Sequence, residues 1–97
     1  MEKLSSDSIQ DHLKTVPGWS LQDGEIVRTF VFSSFVQSLQ FVNRVGESAE
    51  AAGHHPDIDI RYDKVRLALV SHDAGGLTDK DFNLASDCDK IYLSASK

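Results

Sequence analysis

Ninety-seven residues, 40% of them hydrophobic, are enough for one compact domain built on one core. Ten Lys and Arg against fifteen Asp and Glu give a net charge of −5, and the scattered basic residues form no stripe to meet phosphates, which argues against direct DNA or RNA binding. One cysteine, Cys88, excludes an intramolecular disulfide and any Cys-x-x-Cys metal site, and no apolar run is long enough to cross a bilayer.

The polar, acidic opening "MEKLSSDSIQDHLK" has no apolar segment of the secretory type, so a cytoplasmic protein is expected. Within it, "SSDSIQDHLKTV" predicts a first helix. Ser5 or Ser6 can accept hydrogen bonds from the free N–H groups of the first turn, and Ile9, Leu13 and Val16 share one face. Pro17 and Gly18 stop it, because proline disfavours helical geometry at the residue before it. "WSLQDGEIVRTFVF" predicts a hairpin turning at Asp23-Gly24.

Ser33 or Ser34 should cap a second helix running to about Ala52, with Phe35, Leu39, Val42, Val45 and Ala49 on its buried face. Phe41 and Val36 lie off that stripe and suggest a subunit contact. Gly53 suits the left-handed end of a helix. A strand over Ile58 to Tyr62 follows, then a tight turn at Asp63-Lys64 and a strand from Val65 to Val70. "SHDAGGL" is a loop. Thr78 opens a last helix carrying Phe82, Ala85, Cys88 or Asp89, and Tyr92 down one side. The order is α-β-β-α-β-β-α, with no internal repeat or linker. Hairpin-linked strands make an antiparallel sheet, and amphipathic helices must cover a face of it. The expectation is an α+β fold spanning 1–97 as a single domain, a four-stranded antiparallel sheet with helices packed on one face.

The chemistry-bearing residues gather after the second helix. His54 and His55 are adjacent, and in extended backbone neighbours point to opposite faces, so they cannot enter one site in the same way. Pro56 stiffens the segment. The plain structural alternative is one solvated ring and one packed against the helix. His54, His55, His72 and a carboxylate from Asp57, Asp59 or Asp73 could number enough ligands for a metal, but no short metal signature is present and none is expected to bind. Nucleophilic catalysis lacks a G-x-S-x-G elbow, and Cys88 falls where a small core residue belongs. Acid/base chemistry fits better, because imidazole exchanges protons near neutrality and the hairpin returns His72 to the neighbourhood of His54 and His55. An exposed loop residue is the alternative for His72. Asp81 completes a capping box with Thr78 and faces the positive end of the helix dipole, which accounts for it structurally and also leaves it at the site edge. Gly75-Gly76 is too short for a phosphate loop.

The spaced pattern Glu50-x3-His54-His55-Pro56, then Tyr62, His72 and Asp81, resembles the signature of the pterin-4a-carbinolamine dehydratases. "YDKVRLALVSH" and "GLTDKDFNLAS" look like the same family, so the resemblance covers the chain from Trp19 to about Ser86. It implies the same α-β-β-α-β-β-α fold and the dehydration of 4a-hydroxytetrahydropterins to quinonoid dihydropterin in tetrahydrobiopterin recycling. The pterin would be the substrate, with no cofactor and no metal. By resemblance His54 and His72 would be the acid/base pair, His55 would bind the pterin and assist, and Asp81 would orient or tune a histidine. Glu50 would hold a histidine ring in register, Ser71 would contact substrate, and Trp19 would wall the pocket or sit in the core.

The resemblance also implies a homodimer or dimer of dimers and functional coupling to an aromatic amino acid hydroxylase. The alternative on the same scaffold is a non-catalytic partner, such as a dimerisation cofactor, transcriptional coactivator or assembly factor. Gly53 stands where an acidic residue is common and Lys80 where an arginine is familiar, and both bear on substrate contacts more than on the reaction.

Overall fold

Serine caps open the first two helices. In α1 (Ser6–Leu13) the Ser5 hydroxyl accepts the Ser8 N–H, and in α2 (Phe35–Ala52) the Ser34 hydroxyl accepts the Gln37 N–H, each at 3.2 Å. The computed structural model describes residues 2–95. α1 stops three residues before Val16, which is nonetheless buried from the turn that follows. Asp23 and Gly24 both take positive φ, 51° and 82°, as a two-residue hairpin turn requires between β1 (Ser20–Gln22) and β2 (Glu25–Val31). Gly53 closes α2 in the left-handed region at φ 63°.

The sheet is antiparallel throughout, in the order β1-β2-β4-β3, where β3 is Asp57–Arg61 and β4 is Lys64–Leu69. Both strands of this second hairpin lie one residue earlier than periodicity alone suggests. Pairing Ile58 with Leu67 and Ile60 with Val65 puts these four side chains on the helix-facing side, so Tyr62 and Asp63 are left as the turn. Tyr62 takes φ 54° there, an uncommon conformation for an aromatic residue. A short 3₁₀ turn (His72–Ala74) and α3 (Asp79–Ala95) complete the order, which is the expected α-β-β-α-β-β-α.

Ile26 and Phe30 of β2 join Val65, Leu67 and Leu69 of β4 in one core with Phe41, Val45 and Ala49 of α2 and Phe82, Leu84, Ala85 and Cys88 of α3. The opposite side of the sheet carries exposed Thr29, Lys64 and Arg66. Here α2 departs from expectation. Its buried residues are Ser38, Phe41, Val45 and Ala49, whereas Phe35, Leu39 and Val36 are 46%, 39% and 60% exposed. Phe41 is therefore core and not a subunit contact. The reason is an aromatic cluster: its ring centroid lies 4.8 Å from that of Phe30 and 5.0 Å from that of Phe32, and this rotates the Phe35–Leu39 edge outward. Ser38 tolerates burial because its hydroxyl donates to the Ser34 carbonyl.

Among the described residues no helix is long and apolar enough to cross a membrane. The topology gathers chain segments at one end of the sheet. Asp57 at the start of β3 pairs with Ala68 near the end of β4, so the segment leaving α2 meets the segment leading to α3.

Candidate active site

At that end lies a cleft of about 440 Å³ whose walls include His54, His55, Ser71, His72, Asp73 and Lys80. The three histidines expected to converge do so, although they arrive from two different segments. His54 and His55 descend from the C-terminus of α2, and His72 sits in the 3₁₀ turn after β4. A backbone bridge between Ser71 and Gly76, with Gly75 left-handed at φ 74°, folds the "SHDAGG" loop back on itself and sets His72 at the rim.

The two adjacent histidines differ, as alternation of extended backbone leads one to expect. His54 is mostly buried, with 12% of its side chain exposed, and its Nε2 lies 2.5 Å from Asp81 Oδ1. His55 turns to solvent and donates from Nε2 to Glu50 Oε1 at 2.7 Å, on a pair that is exposed on both sides. Glu50 thus contacts His55 one turn back on α2, where an ion pair open to solvent contributes orientation more than energy.

Asp81 is fully buried. Burial of a carboxylate demands donors, and the start of α3 supplies them. Its Oδ2 accepts the Thr78 N–H at 2.9 Å and the Ser71 hydroxyl at 2.8 Å, while Oδ1 faces His54. Thr78 Oγ1 lies 2.8 Å from Ser71 Oγ and accepts the Lys80 N–H at 3.3 Å. The capping box is therefore formed, and its carboxylate serves at the same time as the support of a histidine. The two readings of Asp81 are compatible in one geometry.

Trp19 is not on the cleft. Its indole is buried against Phe30, and Nε1–H donates to Asp89 Oδ1 at 2.9 Å. Asp89 lies eight residues along α3 from Asp81, about 12 Å at the helical rise. The same carboxylate oxygen accepts from Arg28 Nη1 at 2.7 Å. Arg28 escaped sequence reasoning, although the strand period does put it on the core face between Ile26 and Phe30. Lys80, singled out only as a departure from a pattern, stands on the cleft wall and has no carboxylate partner among the described residues.

Cys88 is wholly buried in α3, where burial first, and then Asp89 and Asp87, push its thiol up to about 12. Such a thiol is a core residue and not a nucleophile. Among the described residues no group of three His, Cys, Asp or Glu is placed to hold a metal ion.

A family sequence model described as pterin 4 alpha carbinolamine dehydratase matches residues 2–91. A protein of Acidobacterium capsulatum is 55% identical over 91 residues, covering 94% of this chain and 99% of that one. One from Chloroflexus aurantiacus is 57% identical over 91 residues, covering 94% and 98%. Both are named, provisionally, pterin-4-alpha-carbinolamine dehydratase. The crystal structure of a transcriptional coactivator/pterin dehydratase from Brucella melitensis superposes with a TM-score of 0.90 at 27% identity, over 94% of this chain and 99% of that one. A pterin dehydratase-like protein identified as a RuBisCO assembly factor in the alpha-carboxysome shares the fold, with a TM-score of 0.63 at 20% identity over 76% and 86% of the two chains. This chain belongs to the pterin 4 alpha carbinolamine dehydratase family.

Proposed function

We propose that the chain removes water from 4a-hydroxytetrahydropterin to give quinonoid dihydropterin, with the pterin as substrate and no cofactor. The observation that carries this reading is the convergence of His54, His55 and His72 on one cleft, with His54 backed by buried Asp81. The reaction needs a base to take the N5 proton and an acid to protonate the departing 4a-hydroxyl. The C4a–O bond breaks, a C4a=N5 double bond forms, and water leaves without any change in redox state. Two imidazoles lining one cleft suit that pair of transfers. His54 and His72 are assigned the acid and base roles. His55, steadied by Glu50 at the rim, is assigned to hold the pterin.

Helix α2 leaves Phe35, Val36 and Leu39 exposed together near its start, which supports association into a homodimer or dimer of dimers. The free thiol of Cys88 fits a reducing compartment, and the cytoplasm is the compartment proposed. An aromatic amino acid hydroxylase would supply the substrate. The coactivator and assembly-factor names borne by structural relatives keep a partner-binding role as the competing reading, and the exposed α2 surface is the feature that favours it.

The test generates 4a-hydroxytetrahydropterin with a hydroxylase and follows its decay in the ultraviolet. Wild-type protein should accelerate the decay, and His54→Ala and His72→Ala should each lose about 10²–10⁴-fold, the range for one positioned acid or base. Decay at the spontaneous rate with folded wild-type protein would sink the enzyme reading in favour of the partner role.

A further inference from the structure

We propose that His54 exchanges protons through Nδ1, and that the hydroxyl of Ser71 is the positioning group that enforces this choice by holding Asp81. The inference deepens the dehydratase reading and rests on it for its catalytic meaning. The wiring itself comes from hydrogen-bond directions.

As a carboxylate, Asp81 can only accept. The Ser71 hydroxyl therefore donates to Oδ2 at 2.8 Å, which commits its one proton. Ser71 Oγ must then accept from Thr78, 2.8 Å away, so the Thr78 hydroxyl is the donor of that pair. Thr78 Oγ1 in turn accepts the Lys80 N–H at 3.3 Å. The chain runs one way, from the backbone of α3 through two hydroxyls to the carboxylate. The Thr78 N–H also ends on Oδ2. Ser71, Thr78 and Asp81 are 7%, 1% and 0% exposed, so water does not compete for these bonds.

With Oδ2 occupied twice, Oδ1 is presented to His54, whose Nε2 lies 2.5 Å away. A carboxylate there requires the hydrogen on Nε2. In the neutral ring the lone pair is then on Nδ1, the one ring nitrogen left to take a proton from a ligand. Ser71 lines the cleft, yet its hydroxyl points its proton away from any ligand and into the support of Asp81. It acts through Asp81 and His54, not on substrate.

The experiment uses the full chain labelled with ¹⁵N-histidine, with the His54 signal identified by its absence in His54→Gln. Wild-type protein should show neutral His54 as the Nε2–H tautomer, with a pyridine-type Nδ1. Ser71→Ala should shift the Nε2 signal or introduce the second tautomer, and kcat should fall about tenfold, the loss of one charge-assisted bond, with KM little changed. Ser71→Thr should restore both readouts. Thr78→Val, which removes the next hydroxyl, should move them in the same direction and serves if Ser71→Ala does not fold. An Nδ1–H tautomer in the wild type overturns the proposal, as does Ser71→Ala with unaltered His54 signals. So does a Ser71→Ala effect confined to KM, because it would make the hydroxyl a substrate contact. The tautomer is read without turnover, so a protein that dehydrates no pterin can still display the wiring, and failure of one reading is distinguishable from failure of the other.

Discussion

Asp81→Ala measures how much of the domain hangs on the junction between β4 and α3. The side chain is fully buried and satisfies three donors: the Ser71 hydroxyl, the Thr78 N–H and His54 Nε2. Alanine removes the acceptor and leaves the donors in place. His54 retains some access to water, with 12% of its side chain exposed, so its loss is partly recovered. The other two are buried, and each orphaned donor costs roughly 1–3 kcal/mol, giving about 4 kcal/mol for the pair once the lost helix cap is included. Against a total of about 5–15 kcal/mol for a domain this is a large fraction, and it corresponds to a fall in Tm of roughly 20 °C at this chain length. Asp81→Asn is the informative partner. One amide oxygen can keep Ser71 and Thr78, but the amide NH₂ then faces His54 and favours the opposite tautomer. Its stability cost should be about 2 kcal/mol, because two charge-assisted bonds become neutral ones. Urea titration followed by far-ultraviolet circular dichroism gives both values on a two-state domain. Asp81→Ala within about 1 kcal/mol of wild type would refute the reasoning, since no buried donor could then have lost its partner.

Two further outcomes follow from the core. Cys88, with its thiol pushed up to about 12 and its side chain fully buried, should not react with a disulfide reagent at pH 8 in the native protein and should react stoichiometrically in denaturant; prompt native labelling would contradict its placement. Phe41→Ala should cost about 3–5 kcal/mol in the same urea titration, as a fully buried aromatic packed on Phe30 and Phe32, and a cost near that of an exposed site would return Phe41 to the surface.

The fold was legible wherever one local signal dominated. Serine caps, the Asp23-Gly24 turn and the Gly53 stop each have a single physical use, and the structure employs each of them that way. Helix α2 was harder because its 18 residues carry two overlapping apolar stripes that share Val45 and Ala49, one reaching them through Phe35, Leu39 and Val42 and one through Phe41. Both obey helical spacing. The choice between them is made by Phe30 on β2, by Phe32 just after that strand and by Tyr92 on α3, which surround Phe41 and are distant in sequence. The convergence of the histidines was likewise legible, because an antiparallel hairpin must return the chain to its start. The direction of the Ser71 hydroxyl was not, since it depends on what is buried beneath that residue. Trp19 shows the same limit: its spacing fits a pocket wall or a core, and the Asp89 carboxylate decides for the core.

The capping residue explains why the start of α3 and the support of His54 share one place in this small domain. A helix N-terminus has N–H groups to satisfy, and a carboxylate is the efficient answer. Once Asp81 meets that need with Oδ2, its second oxygen is already buried, oriented and negatively polarised, and it lies where the α2–β3 connection passes. A histidine arriving there gains a fixed tautomer without any further residue being added for the purpose. A carboxylate placed on a mobile loop would have to be ordered separately, at the entropic cost of fixing its side chain. In this arrangement the helix start and the histidine draw on the same ordered group. Loss of stability on removing Asp81 and loss of histidine orientation are therefore two consequences of one contact, and only a substitution such as Ser71→Ala, which keeps the Thr78 N–H bond to Oδ2, separates them.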